Sequence, residues 1–261
     1  MPLGEWAVQT VPGAPASFSF IKVVWAEALG AWWACASGPG AGTTTNLLYK
    51  SLDGVTWTNV DPGFQKNYVS IAWSPDLEQL CLLAALSFTG GTSTHVITTS
   101  DDGGSTWVEH DIPDGAGAAA SNASQFRDLC WAGGSLQTWV AVAQITTNAH
   151  QVMTSPDGVT WTNQVAAAAR SWSAIAWDEG SERLVATGGS NTQSTNVMTS
   201  DDGGVVWPSR STPVNVRFTQ RSLSRGDGLF IGFGDINNGA TQADRGHIFT
   251  SPTGVTWTEN A

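Results

Sequence analysis

Residues Thr154 to Thr162 have the sequence T-S-P-D-G-V-T-W-T, and near-copies of this stretch recur four more times along the chain. The copies end at Trp57, Trp107, Trp161, Trp207 and Trp257, so that successive tryptophans lie 50, 54, 46 and 50 residues apart. Repeats of this length are typical of solenoids and propellers. The 261 residues therefore contain five copies of one structural unit.

Each unit has the pattern of four short strands. In the fourth unit, Ser173 to Trp177 and Leu184 to Gly188 are apolar runs separated by a turn, Val197 to Thr199 follows a polar loop, and the motif turn leads to its tryptophan. Four antiparallel strands, repeated around a ring, make a β-propeller, in which neighbouring blades cover both faces of each sheet. We expect an all-β chain with almost no helix, forming a single β-propeller domain of five four-stranded blades over residues 1–261. The predicted repeats cover approximately 18–62, 66–112, 126–166, 170–212 and 217–261, with the motif turn between the third and fourth strands of each.

Residues 1–17 do not belong to any of the five repeats. Within them, Glu5-Trp6-Ala7-Val8-Gln9-Thr10 is similar to the fourth strand after a motif, so the chain has six such strands but five copies of the first three. This segment is predicted to close the ring against the last blade, to add as an outer strand, or to pair with another subunit or protein, and the sequence leaves the three open.

The repeated pattern S-x-D-x-G-x-T-W resembles the Asp-box, or bacterial-neuraminidase repeat, of sialidases and many non-catalytic propellers. The second copy matches completely, whereas Val206 replaces the threonine in the fourth and Thr253 replaces the aspartate in the fifth. The motif residues are Ser51, Asp53, Trp57, Ser100, Asp102, Gly104, Trp107, Ser155, Asp157, Trp161, Ser200, Asp202, Gly204, Trp207, Ser251 and Trp257.

These residue types suit a tight turn. Glycine adopts positive φ, Ser and Asp accept hydrogen bonds from exposed backbone N–H groups, and Trp covers the hairpin. In the family these turns lie at the periphery and perform no chemistry, so we assign the motif a structural role. The Asp101-Asp102 and Asp201-Asp202 pairs lack EF-hand spacing, and His95 and His150 are equivalent positions on different blades, too far apart to share an ion. We predict no metal site and no cofactor.

The net charge of the chain limits the classes of molecule that it can bind. Eleven basic and 22 acidic residues give a net charge of −11, and Lys22, Lys50 and Lys66 are too scattered to bind phosphates as a stripe. Nucleic acid is therefore excluded, and membrane insertion is not expected because no run approaches about 18 apolar residues. The N-terminus has no signal peptide pattern, which predicts synthesis in the cytoplasm.

The resemblance to sialidases raises glycoside hydrolysis as an alternative function. Such an enzyme needs an arginine set, a Tyr nucleophile paired with Glu, and an Asp acid/base. The chain has two tyrosines, of which Tyr49 falls inside a third strand, and Phe20-Ile21-Lys22-Val23 has no arginine where the family carries one. We predict no catalytic residues and a non-enzymatic protein.

Loops between second and third strands and between blades share one face of the predicted propeller, opposite the Asp-box turns. They vary between units and are rich in Gly, Ser, Thr, Asn and Gln, as suits recognition of hydroxyl-rich ligands. Arginines Arg217, Arg221, Arg225 and Arg245 cluster in the last unit and suit a carboxylate or acidic sugar. The candidate ligand residues on this face are Arg217, Arg221, Asp235, Asn237, Asn238, Asp244 and Arg245.

The leading hypothesis is a binding or structural propeller. Repeats of this form in a Gly/Thr/Ala-rich, lysine-poor chain resemble virion proteins of tailed bacteriophages, which implies a tail, baseplate, fibre or capsid-decorating component, located in the virion, with receptor or glycan recognition. The implied partners are other virion proteins and a cell-surface glycan, and homo-oligomerisation stays open. The alternatives are the sialidase-like glycoside hydrolase and a cytoplasmic assembly factor for a larger complex, as in the photosystem-assembly propellers that share this repeat type.

Overall fold

Five antiparallel sheets of four strands each make up the protein, and in every sheet the strands neighbour one another in chain order. A computed structural model describes Val11 and residues 18–38, 47–64, 66–84, 96–112, 125–144, 151–189, 195–236 and 244–260. The sheets are the blades of a β-propeller, which confirms the fold expected from the repeat.

The blades follow the five repeats. Blade 1 consists of β1 (Ser19–Ala26), β2 (Ala31–Ser37), β3 (Leu48–Ser51) and β4 (Thr58–Val60). Blade 2 consists of β5 (Tyr68–Ser74), β6 (Gln79–Ala84), β7 (Val96–Ser100) and β8 (Val108–Asp111). Blade 3 consists of β9 (Gln125–Ala132), β10 (Thr138–Gln144), β11 (Val152–Ser155) and β12 (Thr162–Gln164). Blade 4 consists of β13 (Trp172–Asp178), β14 (Arg183–Gly188), β15 (Val197–Ser200) and β16 (Ser209–Arg210). Blade 5 consists of β17 (Val216–Gly226), β18 (Leu229–Ile236), β19 (Asp244–Ser251) and β20 (Thr258–Asn260).

Helix is confined, within the described ranges, to one 3-10 turn at Glu27–Leu29. None of the described residues forms a helix long and apolar enough to span a membrane. Of the N-terminal segment only Val11 is described, so the expected strand around Trp6 lies outside the described residues, as do His95 and His150.

Shared apolar clusters hold successive blades together. Four clusters of buried side chains join blades 1 and 2, 2 and 3, 3 and 4, and 4 and 5. In each of them the motif tryptophan of the later blade packs against the earlier blade; these residues are Trp107, Trp161, Trp207 and Trp257. An isolated blade would expose these side chains, so each sheet depends on its neighbours for burial.

The Asp-box is a closed hydrogen-bonded turn. In blade 2 the Ser100 hydroxyl donates to Asp102 over 2.9 Å and accepts from the Gly104 N–H over 2.9 Å. One Asp102 oxygen accepts from the backbone N–H groups of Ser105 and Thr106, and the other accepts from the Thr106 hydroxyl over 2.6 Å. The Thr106 hydroxyl and backbone hold the pKa of the exposed Asp102 carboxyl at about 2, below its ordinary 3.8.

Gly104 shows why this turn requires glycine. Its φ is +85°, in the left-handed region, and a Cβ at this position would lie 2.1 Å from the ring of Trp33 in the preceding blade. The Trp107 indole N–H donates to the Gly104 carbonyl over 3.2 Å, so the turn and the tryptophan are fixed together at the blade junction. The motif residues are thus occupied by structural contacts.

The fifth turn is the weakest of the set. Ser251 keeps its bond to the Gly254 N–H at 2.8 Å, but Thr253 stands where the other copies have aspartate and accepts one bond, from the Val255 N–H, over 3.3 Å. A hydroxyl offers fewer acceptor sites than a carboxylate and carries no charge to strengthen the bonds.

We therefore expect Thr253→Asp to stabilise the protein. Restoring the carboxylate should raise the melting temperature at pH 7 by about 2–4 °C, corresponding to roughly 1 kcal/mol for hydrogen bonds to a charged acceptor. A turn carboxylate has a folded pKa below its unfolded value, as at Asp53 and Asp102, where it is about 2. The gain is therefore present above pH 4 and is lost as the pH falls from about 4 towards 2. Thr253→Asn, measured by the same calorimetry, is the uncharged control; an equal gain for Asn at every pH would contradict the explanation.

Candidate functional site

Two inter-blade bridges frame a polar cavity on the face that carries the variable loops. Gln144 at the end of β10 pairs with Ser171 before β13, and Gly189 after β14 pairs with Arg217 near the start of β17. Because second strands end and first strands begin on this face, the bridges lie side by side across blades 3, 4 and 5. The cavity between them measures about 440 Å³ and is lined by Gln144, Ser171, Ser173, Gly189, Arg217, Phe218, Thr219, Gln220 and Asp235.

A long β-bulge brings two of these residues to the cavity. Every first strand has a bulge. In blade 1 the four residues from Phe20 to Val23 lie opposite three residues of β2, so the bulge adds one residue. In β17 the six residues from Phe218 to Leu223 lie opposite three residues of β18, so this bulge adds three residues. The bulges of the other first strands add one residue each. Bulges re-aim side chains and are frequent beside functional sites. Here the additional length carries Thr219 and Gln220 to the cavity wall.

Arg217 is the cation of the cavity wall. Its side chain is exposed, and the structure gives its guanidinium no hydrogen bond or ion pair with another described residue. Gly189 makes room for it, because a Cβ there would lie 3.0 Å from the Arg217 Cγ. Asp235, half-buried, is its direct partner in the register of β17 and β18 and also lines the cavity.

Beneath the cavity the first strands meet in a charged network at the propeller axis. Lys22 donates to Asp128 over 2.6 Å, and the same carboxylate accepts from the Ser70 hydroxyl and from the backbone N–H of Ile175. Arg221 of β17 donates from Nε to the Val69 carbonyl over 2.8 Å. Side chains or backbone from all five first strands therefore take part.

Arg127 connects this axis to the cavity. Its Nε donates to the Gln144 side-chain carbonyl over 2.9 Å. Burial, and secondly the charge of Arg221, lower the pKa of Arg127 from its ordinary value. The cavity thus lies next to several guanidinium groups, although the chain as a whole has a net charge of −11. Such a local positive field favours an anionic ligand.

The structure separates the predicted ligand residues. Arg217 and Asp235 line the cavity, whereas Arg221 turns to the axis. Arg225 lies at the far end of β17 and forms an ion pair with Asp178 over 2.9 Å, which removes it from the expected cluster. Asn237 and Asn238 lie outside the described residues, and so do the side chains of Asp244 and Arg245.

Sequence reasoning missed the wall contributed by blades 3 and 4. Gln144, Ser171, Ser173 and Gly189 belong to different repeats and none is part of a motif. Superposing the repeats by strand register would have placed all four at the loop end of their sheets. The ends of second strands and the starts of first strands are therefore the signal that indicates this wall.

Both tyrosines have a structural role in the hydrophobic core. Tyr49 and Tyr68 are fully buried in the cluster that joins blades 1 and 2. Burial raises the pKa of each phenol, and for Tyr68 the charge of Glu109 adds to it. Among the residues described, no group of three His, Cys, Asp or Glu side chains is placed to hold a metal ion.

Solved structures share this fold at low sequence identity. A GH74 xyloglucanase from Xanthomonas campestris superposes with a TM-score of 0.63 and 16% identity over 98% of this chain and 39% of its own. The Hadza microbial sialidase Hz136 superposes with a TM-score of 0.63 and 15% identity over 92% of this chain and 57% of its own. The chain thus spans less than two thirds of either protein, and the likeness concerns the propeller fold. No family model and no curated protein sequence matches the chain.

The axis network provides a test of how the floor of the cavity is held. Asp128→Ala removes a buried carboxylate, which leaves the partly buried Lys22 without its counter-charge and Ser70 and Ile175 without their acceptor. The free energy of unfolding should fall by about 3 kcal/mol. Asp201→Ala removes the partner of Arg183 from an exposed pair and should cost at most about 1 kcal/mol. Urea denaturation of the two variants compares them; equal midpoints would show that the axis pair is not required.

Proposed function

We propose that this propeller is a non-catalytic binding module whose variable-loop face takes a carboxylate-bearing glycan. The observation that carries the proposal is the cavity with the exposed Arg217, which has no partner among the described residues, surrounded by hydroxyl and amide groups. A planar guanidinium matches a carboxylate in a bidentate manner, and Ser171, Ser173 and Gln220 are suited to sugar hydroxyls. This combination of one cation with several neutral polar groups fits an acidic sugar.

The cavity wall supports binding rather than hydrolysis. Glycoside hydrolases of the common kind use two carboxyl groups on either side of the scissile bond. Asp235 is the one carboxylate among the described residues that line the cavity, and no tyrosine lines it in that part of the chain. The glycoside hydrolase and sialidase folds in the comparisons therefore do not by themselves carry an activity to this chain.

Arg217→Ala is the test of ligand binding. On a glycan array the unmodified protein should retain acidic glycans, and the variant should bind them at least tenfold more weakly, because a hydrogen bond to a charged group contributes about 1.5–3 kcal/mol. Arg217→Lys keeps the charge but loses the planar geometry and should recover part of the affinity.

Arg183→Ala is the matched control, since it removes one guanidinium at the opposite end of a sheet, beside the Asp-box turn of Asp201. It should change the dissociation constant by less than about twofold. Equal binding by all variants, or no binding by any, contradicts the proposal. Turnover of fluorogenic glycosides that Arg217→Ala abolishes would favour the hydrolase instead.

We further propose that the protein is a component of a tailed-bacteriophage particle, made in the host cytoplasm and assembled with other virion proteins. The support is the likeness of its repeats and composition to such components, together with a ligand face that differs from blade to blade. Mass spectrometry of particles purified on a density gradient should find this chain in a fixed ratio to the capsid protein. Recovery in the soluble fraction of the lysate, without particle association, would favour a cytoplasmic assembly factor.

A further inference from the structure

Blade 5 has an uncovered sheet face where every other blade is covered by its successor. We call the side that meets the next blade the forward face. One cross-strand pair on this face recurs in every blade, namely Cys35 with Leu48, Leu83 with Ile97, Val142 with Val152, Thr187 with Val197, and Phe233 with Ile248. All members of the first four pairs are 0% exposed, whereas Phe233 is 47% and Ile248 39% exposed.

Blade 1 shows the matching defect on its opposite side. Phe20 is 45% exposed, although its register equivalents are buried; these are Tyr68, Phe126, Trp172 and Phe218. Trp25 and Trp32 pack together at 5.0 Å between ring centroids and are both exposed. None of the four apolar clusters of described residues joins blade 5 to blade 1.

These two surfaces form a seam, which we define by Phe233 and Ile248 on blade 5 and by Phe20, Trp25 and Trp32 on blade 1. An apolar surface of this kind on an otherwise covered propeller marks an interaction site. Its position between the last and first blades means that its occupant completes the ring.

Val11 shows where the chain enters the seam. It packs against the blade 1 cluster and lines a cavity of about 380 Å³ with Phe20, Val23 and Trp57. The motif tryptophan Trp57 lies 6.4 Å from Phe20 between ring centroids, as Trp257 lies beside Phe218 in blade 5. Trp57 thus has the position on blade 1 that Trp257 has on blade 5, but among the described residues its apolar cluster contains no residue of blade 5. The forward face of blade 5 therefore lacks the contact with a motif tryptophan that covers each of the other forward faces.

We propose that residues 4–10 of the same chain fill this seam as an inserted strand, with Trp6 covering Phe233 and Ile248. Glu5-Trp6-Ala7-Val8-Gln9-Thr10 has the sequence of a motif fourth strand, and Trp6 is the sixth tryptophan of that type. Seven extended residues span roughly 23 Å, which exceeds the width of a four-stranded sheet. Alternation places Trp6 and Val8 on one face of the strand, so both can contact the apolar seam.

A double-mutant cycle tests the pairing in the full chain. Trp6→Ala and Phe233→Ala should each lower the melting temperature by about 5 °C, and the double variant should fall little further, because each change removes the same contact. Val108→Ala removes an apolar side chain that is 57% exposed on blade 2, and it should combine additively with Trp6→Ala. Additive effects of Trp6→Ala and Phe233→Ala would overturn the proposal.

Hydroxyl-radical labelling keeps the test decisive if a truncated side chain prevents folding. In the unmodified protein Phe233 and Trp25 should be protected, and Trp6→Phe should increase labelling at Phe233 while leaving the buried Phe218 unlabelled. Strong labelling of Phe233 in the unmodified chain would overturn the proposal. So would a dimer, measured by light scattering, that dissociates on Phe233→Ala but not on Trp6→Ala, since a second copy would then occupy the seam.

Discussion

The carboxylate of Asp128 is the point at which the blades depend on one another. It lies almost completely buried at the axis and accepts hydrogen bonds from Lys22 of blade 1, from Ser70 of blade 2 and from the backbone of blade 4. Successive sheets also meet through apolar packing, which is non-directional, and through pairwise bonds between two neighbouring blades, such as the ion pair of Arg225 with Asp178. A buried charge with several fixed donors is directional, and removing any donor leaves a costly unpaired group. The axis network therefore fixes how the blades are oriented around the cavity.

The Asp-box turns and the axis network divide the structural work between the two ends of each sheet. At the periphery, every turn satisfies its own backbone N–H groups with a side chain two to four residues away, as Asp102 does for Ser105 and Thr106. At the axis, the bonds join residues of different blades that are far apart in the sequence, by 106 positions for Lys22 and Asp128 and by 58 for Ser70 and Asp128. The loops of the opposite face carry no Asp-box motif, so their polar residues can be arranged for recognition.

Local chemistry made the fold predictable from the sequence. Each motif carries its own glycine, hydrogen-bonding side chains and tryptophan, and the 50-residue period gives the number of blades. The candidate site was harder to predict from the sequence, because it depends on the register between strands. Arg217 and Arg225 look alike in sequence, yet their partners Asp235 and Phe230 lie five residues apart on β18, which corresponds to roughly 17 Å. Arg217 lines the cavity, whereas Arg225 pairs with Asp178. The β17 bulge could not be predicted for the same reason, because nothing in the repeat pattern indicates that β17 runs from Val216 to Gly226 around four unpaired residues.

The same bulge ties the cavity to the axis. Thr219 and Gln220 face the cavity at one end of it, and Arg221 at the other end adopts φ of +57° and donates to the Val69 carbonyl of blade 2. A left-handed arginine is unfavourable by itself, so the contacts of blade 5 with blade 2 must outweigh that cost. Arg127 makes the second connection, from the axis to Gln144. A ligand held by Arg217 would therefore rest on a wall whose two sides are both fixed to the central network, which limits the movement that binding can induce. Rigid support of this kind favours affinity, because little conformational entropy is lost when the ligand binds.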